Sequence, residues 1–244
     1  MKKAKTISRI NPLFLKGICH RGLHTETITE NSMSAFKNAM ENNMALELDI
    51  HLTKDNELVV IHDSTLNRVT NKEGIVEDLT LSELKNNYRL LNGETIPTLK
   101  EVMDLVNEKV PMVIELKVYN KNYKELSSRL KEELVNVKDK SNYLLISFDP
   151  RALFPFKKSG FVRQLLCTVQ KEFAYVYMFR HFFEGVDLEY KYLEKKSVQR
   201  YCRKHFSNIW TVDSEEILDK YSKYVDTVTF QLIEPSKVKS TLSR

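Results

Sequence analysis

The 244-residue chain has only three cysteines, Cys19, Cys167 and Cys202, with six glycines, six prolines and no long apolar run. An odd cysteine count without metal-type spacing excludes a disulfide framework and a cysteine-bound zinc; it reads as ordinary thiols in a reducing compartment. A membrane helix needs roughly 18 to 20 consecutive apolar residues, and no window approaches that. The opening MKKAKTISRINPLFLK is basic, but its apolar stretch from Pro12 to Leu15 is too short for a signal-peptide core, so the expected location is the cytoplasm. No Gly/Ser linker, low-complexity tract or internal repeat divides the chain, which predicts a single domain over residues 1–244.

The charge is nearly balanced, with 38 Lys and Arg against 33 Asp and Glu, a net +5. That excess favours anionic ligands and leaves room for a weak contact with an anionic membrane surface. The basic residues are spread along the chain without a nucleic-acid-binding signature, so nucleic acid is not an expected partner. With 42% hydrophobic and 29% charged residues, the composition is that of a folded globular protein. Nothing in the pattern specifies an oligomeric state.

What is present is an alternation of short β-type runs with helix-type stretches. LKGICH (15–20), MALELDI (44–50), PMVIELK (111–117), NYLLISF (142–148), FVRQLLCTV (161–169), GVDLEY (185–190), SNIWTV (207–212) and VDTVTF (225–230) make eight candidate strands. Amphipathic stretches separate them, starting with a helix from ENSMSAFKNAMENN that Asn31 or Ser32 can cap and whose Met33, Phe36, Lys37 and Met40 recur at helical spacing. Eight strand–helix units predict an α/β fold, a (β/α)8 TIM barrel, whose usual length of about 250 residues this chain matches. The long interval after the second strand reads as an insertion, about residues 51–97, with a hairpin strand in KDNELVVIHD and a short helix in LTLSELKNNY capped by Thr80 or Ser82.

One stretch does not fit an inert core. ALELDIHLTKDNELVVIHD (45–63) sets Glu47, Asp49 and His62 into an apolar frame. Strand side chains alternate faces, so Glu47 and Asp49 point the same way, and two carboxylates so close need a cation or a proton between them. An oxygen-only site suits one hard divalent ion, Mg²⁺ or Ca²⁺. In a barrel the carboxyl ends of all strands open on one face. His20 and Arg21 end the first strand there, Glu115 and Lys117 end the third, and His62 ends the inserted one. Taken alone, Glu47 with Asp49 equally reads as a pair of rim carboxylates, and Glu115 with Lys117 as a structural ion pair. Together the strand ends supply three carboxylates for a cation, two cationic side chains for a phosphate and two histidines for proton transfer, an inventory that fits metal-assisted cleavage of a phosphate ester.

HRG (20–22), ENSMSAF (30–36), ELDIHLTKDNELVVIHDSTLNRVTN (47–71), GIVEDLTLSEL (74–84), IPTLKEV (96–102) and IELK (114–117), in that order, closely resemble the glycerophosphodiester phosphodiesterase family, with weaker echoes at SF (147–148) and WTVD (210–213). The resemblance implies a (β/α)8 barrel with a small insertion after strand two, and metal-dependent hydrolysis of a glycerophosphodiester to glycerol 3-phosphate and an alcohol. It implies that His20 and His62 are the general acid/base pair, Arg21 and Lys117 the phosphate-contacting cations, and Glu47, Asp49 and Glu115 the metal ligands. Glu30 and Asn31 match the family's EN element beside the first histidine, and Trp210 falls where a strand-end aromatic lines the substrate pocket. The carboxyl-terminal half departs from the pattern: Asp213 stands where the family has Asn, and Phe230 and Gln231 stand where an Asp is expected. Those loops shape the far side of the pocket, so the resemblance speaks to chemistry more than to substrate choice. A lysophospholipid or a cell-wall polyol phosphate is the alternative substrate, and a catalytically silent phosphodiester-binding barrel the alternative of another class.

His51 shares the strand face of Glu47 and Asp49 but reads as a rim residue rather than a fourth ligand, and His24 and Glu26 read as loop polarity. The aromatic stretch FAYVYMFRHFF (173–183) reads as packing on the barrel, with an apolar lip for an acyl chain or a membrane surface as its functional alternative.

Overall fold

The computed structural model describes residues 2–171 and 174–243. Eight parallel strands, β1 (Ile18–Cys19), β2 (Ala45–Leu52), β4 (Met112–Leu116), β5 (Tyr143–Ser147), β6 (Val162–Cys167), β7 (Gly185–Glu189), β8 (Phe206–Val212) and β9 (Thr227–Phe230), pair in the order β1-β9-β8-β7-β6-β5-β4-β2. Pairing of β1 with β2 closes the ring, so the fold is the TIM barrel the alternation predicts. The ninth strand, β3 (Leu58–Val60), runs antiparallel to β2 outside the ring.

The period-two alternation decides which side chains face which way. Leu46, Leu48, Ile50, Met112, Ile114 and Leu116 point outward and join one large apolar cluster with the surrounding helices. The first inward residues of the strands, Ile18, Ala45, Val113, Leu144, Val162 and Phe206, form a separate cluster with Ile10 and Phe14. That second cluster closes the amino-terminal end of the ring and leaves the carboxyl-terminal end open.

Helix Met33–Glu41 buries Ala35, Phe36 and Ala39. Ser32 caps it, its hydroxyl accepting from the Ala35 N–H; Asn31 is not the cap and is committed elsewhere. Helix Leu81–Asn87 is capped by Thr80, and helix Leu99–Val106 by Thr98, each in a reciprocal box with a glutamate three residues on. The box places Leu99, Val102 and Val106 on the core. Thr98→Ala removes one half of that reciprocal pair, and we expect it to lower unfolding stability by about 1 kcal/mol. The shift in the midpoint of a urea titration, at unchanged slope, measures it.

Between β2 and helix Leu99–Val106 lie β3, two short α-helices, a 3-10 turn and a small apolar cluster of their own around Leu66, Val76, Leu84 and Tyr88. This segment carries His62 to the open end, where the adjoining Ile61 N–H donates to the Asp49 carbonyl. In the aromatic stretch Phe173 lies outside the described residues, and Ala174–Phe182 forms a 3-10 helix. Val176 is buried and Tyr177 stacks on Tyr192, whereas Tyr175, Met178 and Phe182 stay exposed. All three cysteines are free and buried, and among the described residues no helix is long and apolar enough to cross a membrane.

Candidate active site

Strand register explains how residues distant in sequence meet. Asp49 on β2 lies directly across from Glu115 on β4, and Glu47 is one inward step below Asp49. Carboxylate oxygens of Glu47, Asp49 and Glu115 all lie within 4.8 Å of one another, and all three residues are buried. Burial, reinforced by the mutual proximity of the carboxylates, pushes Glu47 well above the ordinary carboxylate range; burial likewise pushes Glu115 up. At Asp49 burial acts in the same upward direction, but Lys117, His62, Arg21 and the Asn31 amide outweigh it and hold the group well below its usual value. Asp49 Oδ1 and Glu115 Oε1 have no hydrogen-bond partner, although Lys117 Nζ stands 3.5 and 3.0 Å from them. Three oxygen donors converging with two orphaned atoms fit a hard divalent cation.

The cations are locked onto this cluster from both sides. Lys117 reaches it from the end of β4, forming the ion pair with Glu115 that the spacing allowed. Arg21 follows β1 in a left-handed conformation, φ 55°, which aims its N–H at Glu47 Oε2 (2.9 Å) and its Nε toward Asp49 Oδ2 (3.4 Å). The turn continues through Gly22 at φ 76°, where an added Cβ would meet the Ala35 backbone at 2.8 Å, so the motif needs a residue without a side chain there.

Two histidines flank the acids, each held by a different kind of partner. His20 Nδ1 lies 2.7 Å from the amide oxygen of Gln231, an acceptor, so Nδ1 carries the hydrogen and Nε2 is left with its lone pair. Burial, with Arg21 alongside, drives His20 down to about 3. His62 Nδ1 instead lies 2.6 Å from the Asp63 carboxylate. Burial lowers His62 as well, while Asp49 and Asp63 oppose that shift.

The open end forms a cleft lined by His20, Arg21, Glu47, His62 and Glu115 on one side and by Ile146, Phe148, Leu166, Asp187, Trp210, Thr211 and Thr229 on the other. Trp210 therefore lines it, edge-on to Phe148 with ring centroids 5.5 Å apart. Glu30 and Asn31, expected as lining residues, are not among those that line the cleft. Asn31 is buried and donates to Asp49 Oδ2 at 2.9 Å, while Glu30 accepts from Arg21 and, through both oxygens, from Arg68. Each thus fixes a neighbour of the cleft rather than its wall. His51 is not a rim residue: it is 3% exposed, with Nδ1 on Glu77 and Nε2 on the His62 carbonyl. None of the described residues of the aromatic stretch lines the cleft.

Sequence reading gave no role to Asp63, Arg68 and Asp187, and placed Gln231 in a loop at the far side of the pocket without its contact to His20. Arg68 also donates to Asp63, so one guanidinium ties the partner of His62 to the partner of Arg21. Asp63 and Arg68 stand inside the quoted 47–71 motif, so the signal was present without a role attached to it.

The sequence model of the glycerophosphoryl diester phosphodiesterase family matches residues 20–230. The chain is similar to the glycerophosphodiester phosphodiesterase of Caldanaerobacter subterraneus subsp. tengcongensis, 35% identical over 149 residues. That match covers 58% of this chain and 61% of the relative's length. Among solved structures, a glycerophosphodiester phosphodiesterase from Parabacteroides distasonis superposes with a TM-score of 0.75 at 27% identity, over 92% of this chain and 95% of that one. A phosphodiesterase from Oleispira antarctica, solved with sn-glycerol-3-phosphate, shares the fold with a TM-score of 0.82 at 22% identity, covering 98% and 99% of the two chains.

Proposed function

The chain belongs to the glycerophosphoryl diester phosphodiesterase family, and from that premise we propose that it hydrolyses glycerophosphodiesters to glycerol 3-phosphate and an alcohol. The observation that carries this is the convergence, at the open end of one barrel, of three buried carboxylates with two cations and two histidines, of which His20, His62, Arg21, Glu47 and Glu115 line a single cleft and Asp49 and Lys117 stand directly behind it. Glu47, Asp49 and Glu115 would hold a divalent cation, Mg²⁺ or Ca²⁺, which when bound supplies Lewis acidity toward a phosphoryl oxygen. Arg21 and Lys117, whose charges the carboxylates keep in place, bind the phosphate and offset the negative charge that grows on it in the transition state.

The two histidine environments divide the proton transfers. His20 faces the cleft with an unprotonated Nε2, fixed by a neutral amide whose support for the imidazolium is outweighed by burial and Arg21, and so takes the proton of the nucleophile, water or the neighbouring glycerol hydroxyl. His62, backed by a carboxylate that stabilises its imidazolium, returns a proton to the leaving alkoxide. None of the described residues of the aromatic stretch lines the cleft, so among them nothing favours a lysophospholipid over a smaller glycerophosphodiester.

Incubation of the purified protein with a panel of glycerophosphodiesters, followed by product analysis, tests the reaction class. Release of glycerol 3-phosphate with the free alcohol is expected. Release of free glycerol with a phosphorylated alcohol, or no turnover of any member, would contradict it.

A further inference from the structure

Half of the barrel interior breaks the rule that TIM-barrel cores are filled by branched aliphatic side chains. On β6 to β9 the inward residues above the closing layer are Gln164, Asp187, Asn208 and Thr229, all of them buried. Asp187 and Asn208 are register partners, and Asn208 donates to Thr229 Oγ1 at 2.7 Å. Three atoms of this group, Asp187 Oδ1, Asn208 Oδ1 and Gln164 Oε1, are buried without a hydrogen-bond partner. Such atoms are costly unless a ligand or water completes them. Asp187 is 1% exposed, yet it lines the cleft, on the wall opposite the carboxylate cluster and beside Trp210. Neither the metal cluster nor the histidines use it.

We propose that Asp187 is a specificity-determining residue that hydrogen-bonds a hydroxyl on the substrate arm lodged against Trp210 and Phe148, and so selects phosphate esters bearing a hydroxylated carbon chain. The proposal rests on the phosphodiester reading of the site and adds the chemistry of one of its arms. The wall around Asp187 is mostly apolar, from Ile146, Leu166, Phe148 and Trp210, with only Thr211 and Thr229 as further polar lining, so its carboxyl is the one acidic anchor amid surface suited to a short carbon chain. Its polar neighbours Asn208, Thr229 and Gln164 are neutral and add no second carboxylate, unlike the triad on the opposite wall, so the group is better matched to hydroxyls than to a divalent ion. Burial raises Asp187 to about 8 against the opposing hydrogen bond with Asn208, and in either protonation state its unpartnered Oδ1 can accept from a hydroxyl. A site built to bond a hydroxyl discriminates strongly against ligands lacking one, because its own buried group then goes unpaired.

The test is calorimetric binding of glycerol 3-phosphate, methyl phosphate and phosphocholine, with Mg²⁺ or Ca²⁺ present, to the wild type, Asp187→Ala and Asp187→Asn. The wild type is expected to prefer glycerol 3-phosphate to methyl phosphate, and Asp187→Ala to reduce that preference about tenfold. Asp187→Asn, which keeps volume and hydrogen-bonding capacity, should retain more of it. No wild-type preference, or a preference unchanged in both variants, would overturn the proposal, as would equal losses for both ligands, which mark a purely structural or water-filled role. A preference for phosphocholine lost in Asp187→Ala would overturn it in favour of a cation site. Binding reads the proposal without turnover, so absence of diester hydrolysis would count against the proposed reaction and leave this result standing.

Discussion

His20→Ala is expected to fold normally and to lower kcat about 10²- to 10⁴-fold, the range of positioned acid–base groups, and His62→Ala to do the same with an unactivated alkyl diester. The two losses should separate when the leaving group changes. A 4-nitrophenyl ester departs without protonation, so His62→Ala regains most of its lost rate on that substrate, whereas His20→Ala, lacking the group that activates the nucleophile, stays impaired on both. The assignment follows from the partners and not from the histidines themselves, since the neutral Gln231 amide fixes a tautomer with only modest support for the imidazolium, whereas the Asp63 carboxylate adds a full negative charge. Steady-state rates on the two substrates check it. The opposite pattern would exchange the roles, and wild-type rates in either variant would remove that histidine from the chemistry.

How much of this was legible depends on whether a signal was local. The strands could be read to within a few residues, because outward positions such as Leu46, Leu48 and Ile50 must be apolar to meet helices, and the period of two follows directly. Glu47, Asp49 and Glu115 were visible because they violate that apolar pattern at strand ends. Asn31 and Ser32 are both good caps in isolation; only the fold shows that Asp49 claims the first and leaves the helix to the second. His51 looked like a rim residue because Glu77, which covers its Nδ1, comes from the inserted segment 26 residues further on. Gln231 meets His20 across 211 residues, and its departure from the family pattern was plain while its partner was not. Asp187 was hidden differently: GVDLEY carries Asp187 and Glu189 two residues apart, and only the closed ring shows that the first of them is buried inside it.

The second large effect concerns the carboxylate cluster as a whole. Chelation is expected to abolish turnover and Mg²⁺ or Ca²⁺ to restore it, but the cluster also predicts a signature that does not depend on activity. Without a cation, Glu115 is pushed up to about 7 by burial, and Glu47 is raised as well. A carboxyl whose folded pKa exceeds its unfolded value holds a proton in the folded state that the unfolded chain has released. Stability therefore falls as pH rises from about 4.5 toward 7, and stays low above that. Asp49 is shifted the opposite way, so its contribution is lost only on acidification below its unfolded value near 3.9, outside this window. A cation replaces the missing protons, and below the folded pKa it must first displace them. Added in roughly hundredfold excess over its Kd, it should raise the thermal midpoint of the chelated protein by about 5–10 °C near pH 8, less near pH 5, and release protons into weak buffer at intermediate pH. Glu115→Gln, which cannot ionise, should blunt both the midpoint shift and the proton release. Equal midpoints with and without cation at both pH values would show that Arg21 and Lys117 alone neutralise the cluster, and would reduce the triad to a structural ion network.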